Sequence, residues 1–208
     1  AVGERYSPRS AGEAEGVRRK YGLPDRFVLF VGTIEPRKGV DTLLAAMRLI
    51  LKARTDVAVV MAGKVGWRVT PLVEEAGSVG LSGHVRLLGH VAEEDMPSLY
   101  SASELLVLPS RYEGFGLPLV EAFACGTPVV CSNISSMPEV AGGAAVLVPP
   151  DHPKALAEAL LAVVDGADKK RELREKGLRR AASFSWKKAA EETIEVYGRV
   201  LGRRKACR

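Results

Sequence analysis

Six short, nearly continuous apolar runs alternate with stretches of helical periodicity, and this alternation limits the possible folds more than any other feature of the chain. The runs are Phe27 to Val31, Val57 to Ala62, Val85 to Leu88, Leu105 to Leu108, Pro128 to Cys131 and Ala144 to Val148. Runs of this length fit strands covered on both faces. Between them, residues 41–53 place Leu43, Leu44, Met47, Ile50 and Leu51 on one helical face. Shorter helices are expected over 70–80, 94–102 and 117–125. Longer ones are expected over 153–164, 169–182 and 185–201, the last with Ser185 as N-cap. Strand followed by helix, repeated, predicts an α/β fold: a Rossmann-like, doubly wound parallel sheet of about six strands with helices on both faces. Ligands of such sheets bind beyond the carboxyl ends of the strands. The loops at 32–39, 63–67, 89–91 and 109–116 all follow strands, so they would line one edge together.

Nothing else in the chain opposes a single body of this kind. It shows no internal repeat and no low-complexity segment. Its 208 residues, 47% hydrophobic and 26% charged, suit a soluble globular protein. Residues 1–22 read as a polar linker with a short helix, 23–201 as the body, and 202–208 as a basic tail. Of the net charge of +5, the tail residues Arg203, Arg204, Lys205 and Arg208 carry four. A solvated tail is the plain reading; a peripheral contact with an acidic membrane face is the other. The basic residues form no aromatic-interleaved stripe, which argues against nucleic acid. No stretch is long enough for a membrane span, and the first residues hold no apolar signal segment. The three cysteines, Cys125, Cys131 and Cys207, make no disulfide framework. The first two lie in apolar surroundings and read as core residues of a cytoplasmic protein.

The stretch most suggestive of chemistry is Arg111-Tyr112-Glu113-Gly114-Phe115-Gly116-Leu117-Pro118-Leu119-Val120-Glu121. It follows the fourth apolar run and opens a helix, with Pro118 suited to the first helical turn. Glu113 then lies in the loop and Glu121 in the first turns. The free N–H groups between them can hold a phosphate. The two carboxylates would repel phosphate, so they are better suited to accepting hydrogen bonds from hydroxyls. An anion together with hydroxyls points to a ribose, a diphosphate and a sugar. After the first run, Gly32-Thr33-Ile34-Glu35-Pro36-Arg37-Lys38-Gly39 has no phosphate-loop spacing but sets two cations, Arg37 and Lys38, before a helix. Alone that pair would read as a solvated surface; on the same sheet edge as Glu113 and Glu121 it reads as a phosphate contact. His90 is assigned no catalytic role. No His, Cys, Asp or Glu set has metal-ligand spacing, and neither metal nor cofactor is expected. Ser135 to Glu139 reads as a turn and helix start, with Glu139 either capping that helix or facing the site, and the cap preferred. Trp67 and Trp186 are expected to be packing residues.

These motifs resemble those of the retaining family 4, or group 1, glycosyltransferases of GT-B fold. The resemblance rests on the Glu113-x7-Glu121 stretch, on residues 30–39, on Gly89-His90-Val91, on residues 121–130 and on Pro138 to Gly142. It covers about residues 21–201. It implies that Arg37 and Lys38 contact the donor diphosphate together with Gly32 and Thr33, and that Glu113 hydrogen-bonds the donor sugar. It further implies that the N–H groups of Gly114, Phe115, Gly116 and Leu117 hold sugar or phosphate oxygens. Glu121 would accept from the ribose, and the turn at Val91 would contact the base. Many members carry an Arg directly after the glycine of the first loop, where this chain has Thr33; Arg37 would take over that charge. The resemblance also implies a second, N-terminal acceptor domain that this chain lacks, with the helix over 186–201 packing back toward it. The implied donor is GDP-mannose or a UDP-sugar, transferred with retention and without metal. Two alternatives stand beside a transferase: a nucleotide-sugar-binding module inactive by itself, and another GT-B enzyme such as an epimerase or phosphorylase. A response-regulator-like domain would need acids where Gly32 and Gly63 stand.

Overall fold

The computed structural model describes residues 2–66, 74, 76–78 and 80–206, with side chains described to residue 202. In chain order the elements are α1 (Ala11–Tyr21), β1 (Phe27–Val31), α2 (Val40–Leu51), β2 (Ala58–Ala62), β3 (Val85–Gly89), α3 (Met96–Ala102), β4 (Leu105–Leu108), α4 (Leu117–Ala124), β5 (Val129–Ser132), α5 (Met137–Ala141), β6 (Val146–Val148), α6 (Pro153–Asp165), α7 (Ala167–Ala182) and α8 (Trp186–Ala206). A 3-10 turn at Pro36–Lys38 precedes α2. The six strands form one sheet in the order β3-β2-β1-β4-β5-β6, and every pairing is parallel. The expected Rossmann-like α/β sheet is the one found.

Alternation along the strands divides the core in two, because successive side chains point to opposite faces. Phe27 and Leu29 of β1 and Leu106 and Leu108 of β4 pack with α1, α3, α4 and α5. Val28 and Phe30, with Leu105 and Val107, pack on the opposite face with α2 and α6. In α2 the buried Val40, Leu43, Leu44, Met47 and Ile50 recur at helical spacing. Cys125 and Cys131 are fully buried free thiols, and desolvation pushes both up to about 12. The helix before the sheet is part of the packed body. Ser10 and Glu13 form a capping box at its start. Arg18 then donates to the Ala102 carbonyl, and Tyr21 to Asp95, tying α1 to α3.

Several expectations are corrected. Trp186 is not a packing residue: it is 61% exposed, because α8 leaves the body at Ser185 and every residue from 186 to 202 is exposed. The Ser185 hydroxyl does accept from the Lys188 N–H as the N-cap. The helix continues to Ala206 rather than stopping at 201; the basic residues there are good helix formers, and their charge suits a helix C-terminus. Helix α3 begins at Met96, two residues later than expected, because 92–95 close a turn through Asp95 N–H to Ala92 C=O. Glu139 does not cap α5: it lies inside that helix, and Ser136 holds the N-cap position. The helix expected over 70–80 and Trp67 lie outside the described residues. Among the described residues no helix is long and apolar enough to cross a membrane.

Candidate active site

The strand order reverses between β1 and β4, the position where open α/β sheets leave a crevice for ligands. The loops leaving these two strands are residues 32–39 and 109–116, and they pack directly on each other. Gly39 has φ +65°, and a Cβ there would lie 2.1 Å from the Pro109 carbonyl oxygen. Only glycine allows this backbone approach. On the other side, the first loop runs against residues 63–66. Gly32 and Ile34 donate to the carbonyls of Ala62 and Lys64, and Gly66 returns a bond to Ile34. Gly63, at φ +150°, leaves room there: a Cβ would meet the Gly32 oxygen at 2.0 Å. Ile34, 1% exposed, anchors the loop in the core.

The juxtaposed loops bring Lys38 and Glu113 together. Lys38 Nζ lies 2.7 Å from Glu113 Oε1, with the two side chains 12% and 9% exposed. Ser110 Oγ donates to the same carboxylate oxygen at 2.8 Å. Arg37 Nη1 stands 3.6 Å from the other oxygen and donates to the Tyr112 carbonyl at 2.8 Å. The Glu113 backbone is held as well: its N–H donates to Ser135 Oγ at 3.1 Å, and its C=O accepts from Ser136 Oγ at 2.9 Å. A buried carboxylate is tolerated only when it is paired and hydrogen-bonded in this way. Directly after it, Gly114, Phe115, Gly116 and Leu117 lead into α4, with Gly116 as N-cap and Pro118 in the first turn. No hydrogen bond from their four N–H groups to any described residue is found. The Phe115 ring meets Phe184 edge-on at 5.7 Å, which fixes this turn against the end of α7.

Gly32, Thr33 and Val91 share a cavity of about 200 Å³ with Gly63, Lys64, His90 and Met96. Lys38 lies beside Gly32, one of its lining residues: a Cβ at Gly32 would be 3.8 Å from Lys38 Nζ. Val91 is buried and His90 exposed. Glu121 stands apart from these contacts. It accepts from Tyr100 Oη at 2.7 Å, and Tyr100 is on α3, the helix that also lends Met96 to the cavity. Burial raises the Glu121 pKa, while the tyrosine hydrogen bonds oppose that rise. A larger basic cleft of about 340 Å³ lies between Gly142–Ala144 and the C-terminal half of α7. Gly142–Ala144 lead into β6, so this cleft is at the opposite end of the strands. Its Arg180 is already bonded to the Glu139 and Val140 carbonyls.

Four residues of the site carry no assigned role in the sequence reading. Arg111 joins three loops: it donates to Asp151 Oδ1 at 2.8 Å, to Asp41 Oδ2 at 2.7 Å and to the Pro36 carbonyl, while its N–H bonds the Arg37 carbonyl. Ser110, Ser135 and Ser136 support Glu113. No local pattern marks Arg111, whose partners are 40 to 75 residues away. Ser110 has a signal, a polar residue two positions past an apolar strand.

Residues 15–180 match the sequence profile of the family described as glycosyl transferases group 1. The chain belongs to this family. It is 38% identical over 199 residues to O-antigen chain mannosyltransferase B of Escherichia coli, covering 95% of this chain and 52% of that protein. It superposes on sucrose-phosphate synthase from Thermosynechococcus elongatus with a TM-score of 0.78 and 29% identity, over 96% of this chain and 51% of the other. Anabaena HepE in complex with UDP-glucose gives a TM-score of 0.83 at 23% identity, over 93% and 54% of the two chains. The chain spans about half the length, or less, of the curated relatives it matches.

Proposed function

We propose that this group 1 domain binds the nucleoside-diphosphate hexose donor of a retaining hexosyltransferase, and that the acceptor is held by a further domain. The observation that carries the reading is the Lys38–Glu113 pair set against Gly32, beside four N–H groups opening α4 that have no hydrogen-bond partner among the described residues. The pair offers a cation for a diphosphate and a carboxylate for sugar hydroxyls within one hydrogen bond of each other. UDP-glucose in the HepE complex and the mannosyl activity named for the E. coli relative are consistent with a hexose donor.

In this mechanism negative charge grows on the departing diphosphate as the glycosidic bond stretches. Lys38, Arg37 and the N–H groups of Gly114 to Leu117 are already oriented, so they stabilise that charge without reorganising. Glu113 positions the sugar. Its Oε1 accepts from Lys38 and Ser110 and its other oxygen lies 3.6 Å from Arg37, which makes it a poor covalent nucleophile and leaves acceptor capacity for a sugar hydroxyl. Glu121 accepts from the ribose, and the turn at Val91 contacts the base. The donor is GDP-mannose or a UDP-hexose. The two buried thiols suit a reducing cytoplasm, and the basic run Arg203-Arg204-Lys205 suits a peripheral contact with an acidic membrane face.

Thermal unfolding of the chain with GDP, UDP, GDP-mannose and UDP-glucose tests the reading. A ligand that binds only the native state raises the melting temperature progressively with concentration. At least one of these nucleotides is expected to do so, and no shift with any of them refutes the donor-site assignment.

A further inference from the structure

We propose that Arg111 is a positioning residue of the donor site, a brace that holds the Pro36–Lys38 turn so that Arg37 and Lys38 face the donor diphosphate. The inference rests on the donor-site reading above and adds to it a residue that touches no part of the donor. Both cations stand on one short 3-10 turn between β1 and α2. Such turns have poor hydrogen-bond geometry of their own. Here the internal bonds run from Lys38 N–H to Glu35 C=O at 3.0 Å and from Gly39 N–H to Pro36 C=O at 3.1 Å. Neither sets the turn against the loop that carries Glu113. Arg111 does so twice: its N–H donates to the Arg37 carbonyl at 2.8 Å, and its Nη1 donates to the Pro36 carbonyl. Arg37 returns a bond to the Tyr112 carbonyl at 2.8 Å. The two loops are thus cross-linked through the carbonyls of Pro36, Arg37 and Tyr112, directly beside the Lys38–Glu113 pair.

The guanidinium is built to brace rather than to bind phosphate. Nε and Nη2 both donate to Asp151 Oδ1, at 2.8 and 2.7 Å, and Nη2 also reaches Asp41 Oδ2 at 2.7 Å. Every nitrogen of the fork is therefore engaged, and two carboxylates more than cancel its charge. The anchors are themselves well placed. Asp41 lies in the first turn of α2, where the helix dipole favours a carboxylate. Asp151 stands just before α6 with φ +57°. Among the described residues, one other non-glycine has positive φ: Ser135, at 54°, whose hydroxyl accepts from the Glu113 N–H. Asp tolerates the left-handed region better than most residues, yet its use still costs free energy. Both departures thus occur where a side chain steadies the Glu113 loop. A lysine could not make the forked contacts, because its ammonium is a single point.

The test is a thermodynamic cycle between Arg111 and Lys38, read by calorimetry with GDP and UDP. Arg111→Gln should weaken nucleotide binding about tenfold, within the roughly hundredfold that a misplacement of about 1 Å can cost. In the Lys38→Ala background the same change should cost less than about threefold, because the better placed of the two cations is already gone. Asp151→Asn provides a milder perturbation that keeps the side-chain shape and suits the left-handed backbone. It should weaken binding about threefold in the wild type and not measurably in Lys38→Ala, and it decides the matter alone if Arg111→Gln fails to fold. Equal factors in the two backgrounds overturn the proposal, since independent sites add and general loosening of the fold would act on both alike. Unchanged affinity in the single variants overturns it as well while leaving the donor site standing. Absence of GDP and UDP binding by the wild type refutes the donor-site reading itself, and this inference with it.

Discussion

Removing the Lys38 ammonium should produce two separable losses. With 12% and 9% exposure, Lys38 and Glu113 form a largely desolvated pair, and Lys38→Ala leaves the carboxylate without its nearest cation. Breaking a buried pair by deleting one member costs about 3–5 kcal/mol. Here Ser110 still donates at 2.8 Å, and Arg37, at 3.6 Å and partly exposed, can close on Glu113. The stability loss should therefore fall below that range, at about 2 kcal/mol, which moves a urea midpoint by roughly 1 M for a slope of about 2 kcal/mol/M. The second loss is in binding. A charge-assisted bond to phosphate contributes about 1.5–3 kcal/mol, so nucleoside-diphosphate affinity should fall by about 10- to 150-fold. The double variant Lys38→Ala with Glu113→Gln separates the two. With no unpaired charge left in the site, it should recover most of the lost stability and none of the lost affinity. In the proposed two-domain transferase, turnover at saturating donor should fall by about a hundredfold. Recovery of nucleotide affinity in the double variant would mean that Lys38 serves only to neutralise Glu113, and unchanged turnover would remove Lys38 from catalysis.

The packing of the loops makes two further predictions. Gly39→Ala forces a side chain into the left-handed region and against the Pro109 oxygen; it should lose about 3 kcal/mol of stability, and a urea midpoint equal to wild type would contradict the direct contact of the two loops. Among the described side chains helix α8 has no buried residue to hold it, and most helical stability in proteins comes from tertiary packing of one face. Its amides should exchange with opening free energies below about 1 kcal/mol in this chain, while those of β1 and β4 exchange only through global unfolding. Equal protection of α8 and β1 by hydrogen-exchange mass spectrometry would refute that description.

The fold was highly legible for a local reason. Each of the six strands is a short apolar run between turn residues, and each described helix carries its own periodicity or cap. These signals lie within about a dozen residues, so they can be read without knowing what touches what. Errors arose where an element's surroundings decide its state. Trp186 looks like a core residue by type, yet it begins a helix whose described side chains are all exposed.

The candidate site divides along the same line. Glu113, Glu121, Arg37 and Lys38 stand out because carboxylates around a glycine turn, and cations ahead of a helix, are local patterns. That Lys38 neutralises Glu113 across 75 residues is not local; it follows from β1 and β4 being neighbours in the sheet. The same adjacency lets Arg111 join three loops, and the packing of the segment before α1 on α3 sets Tyr6 against Tyr100. Sequence alone determined the strands, the helices and the identity of the charged side chains, since backbone preference and side-chain chemistry belong to each short stretch. Only the tertiary structure decided which charges are paired, which are buried and which hydroxyls hold them. Electrostatic partnership depends on distance in space and on exclusion of water, and both are set when the sheet assembles and its helices close over it.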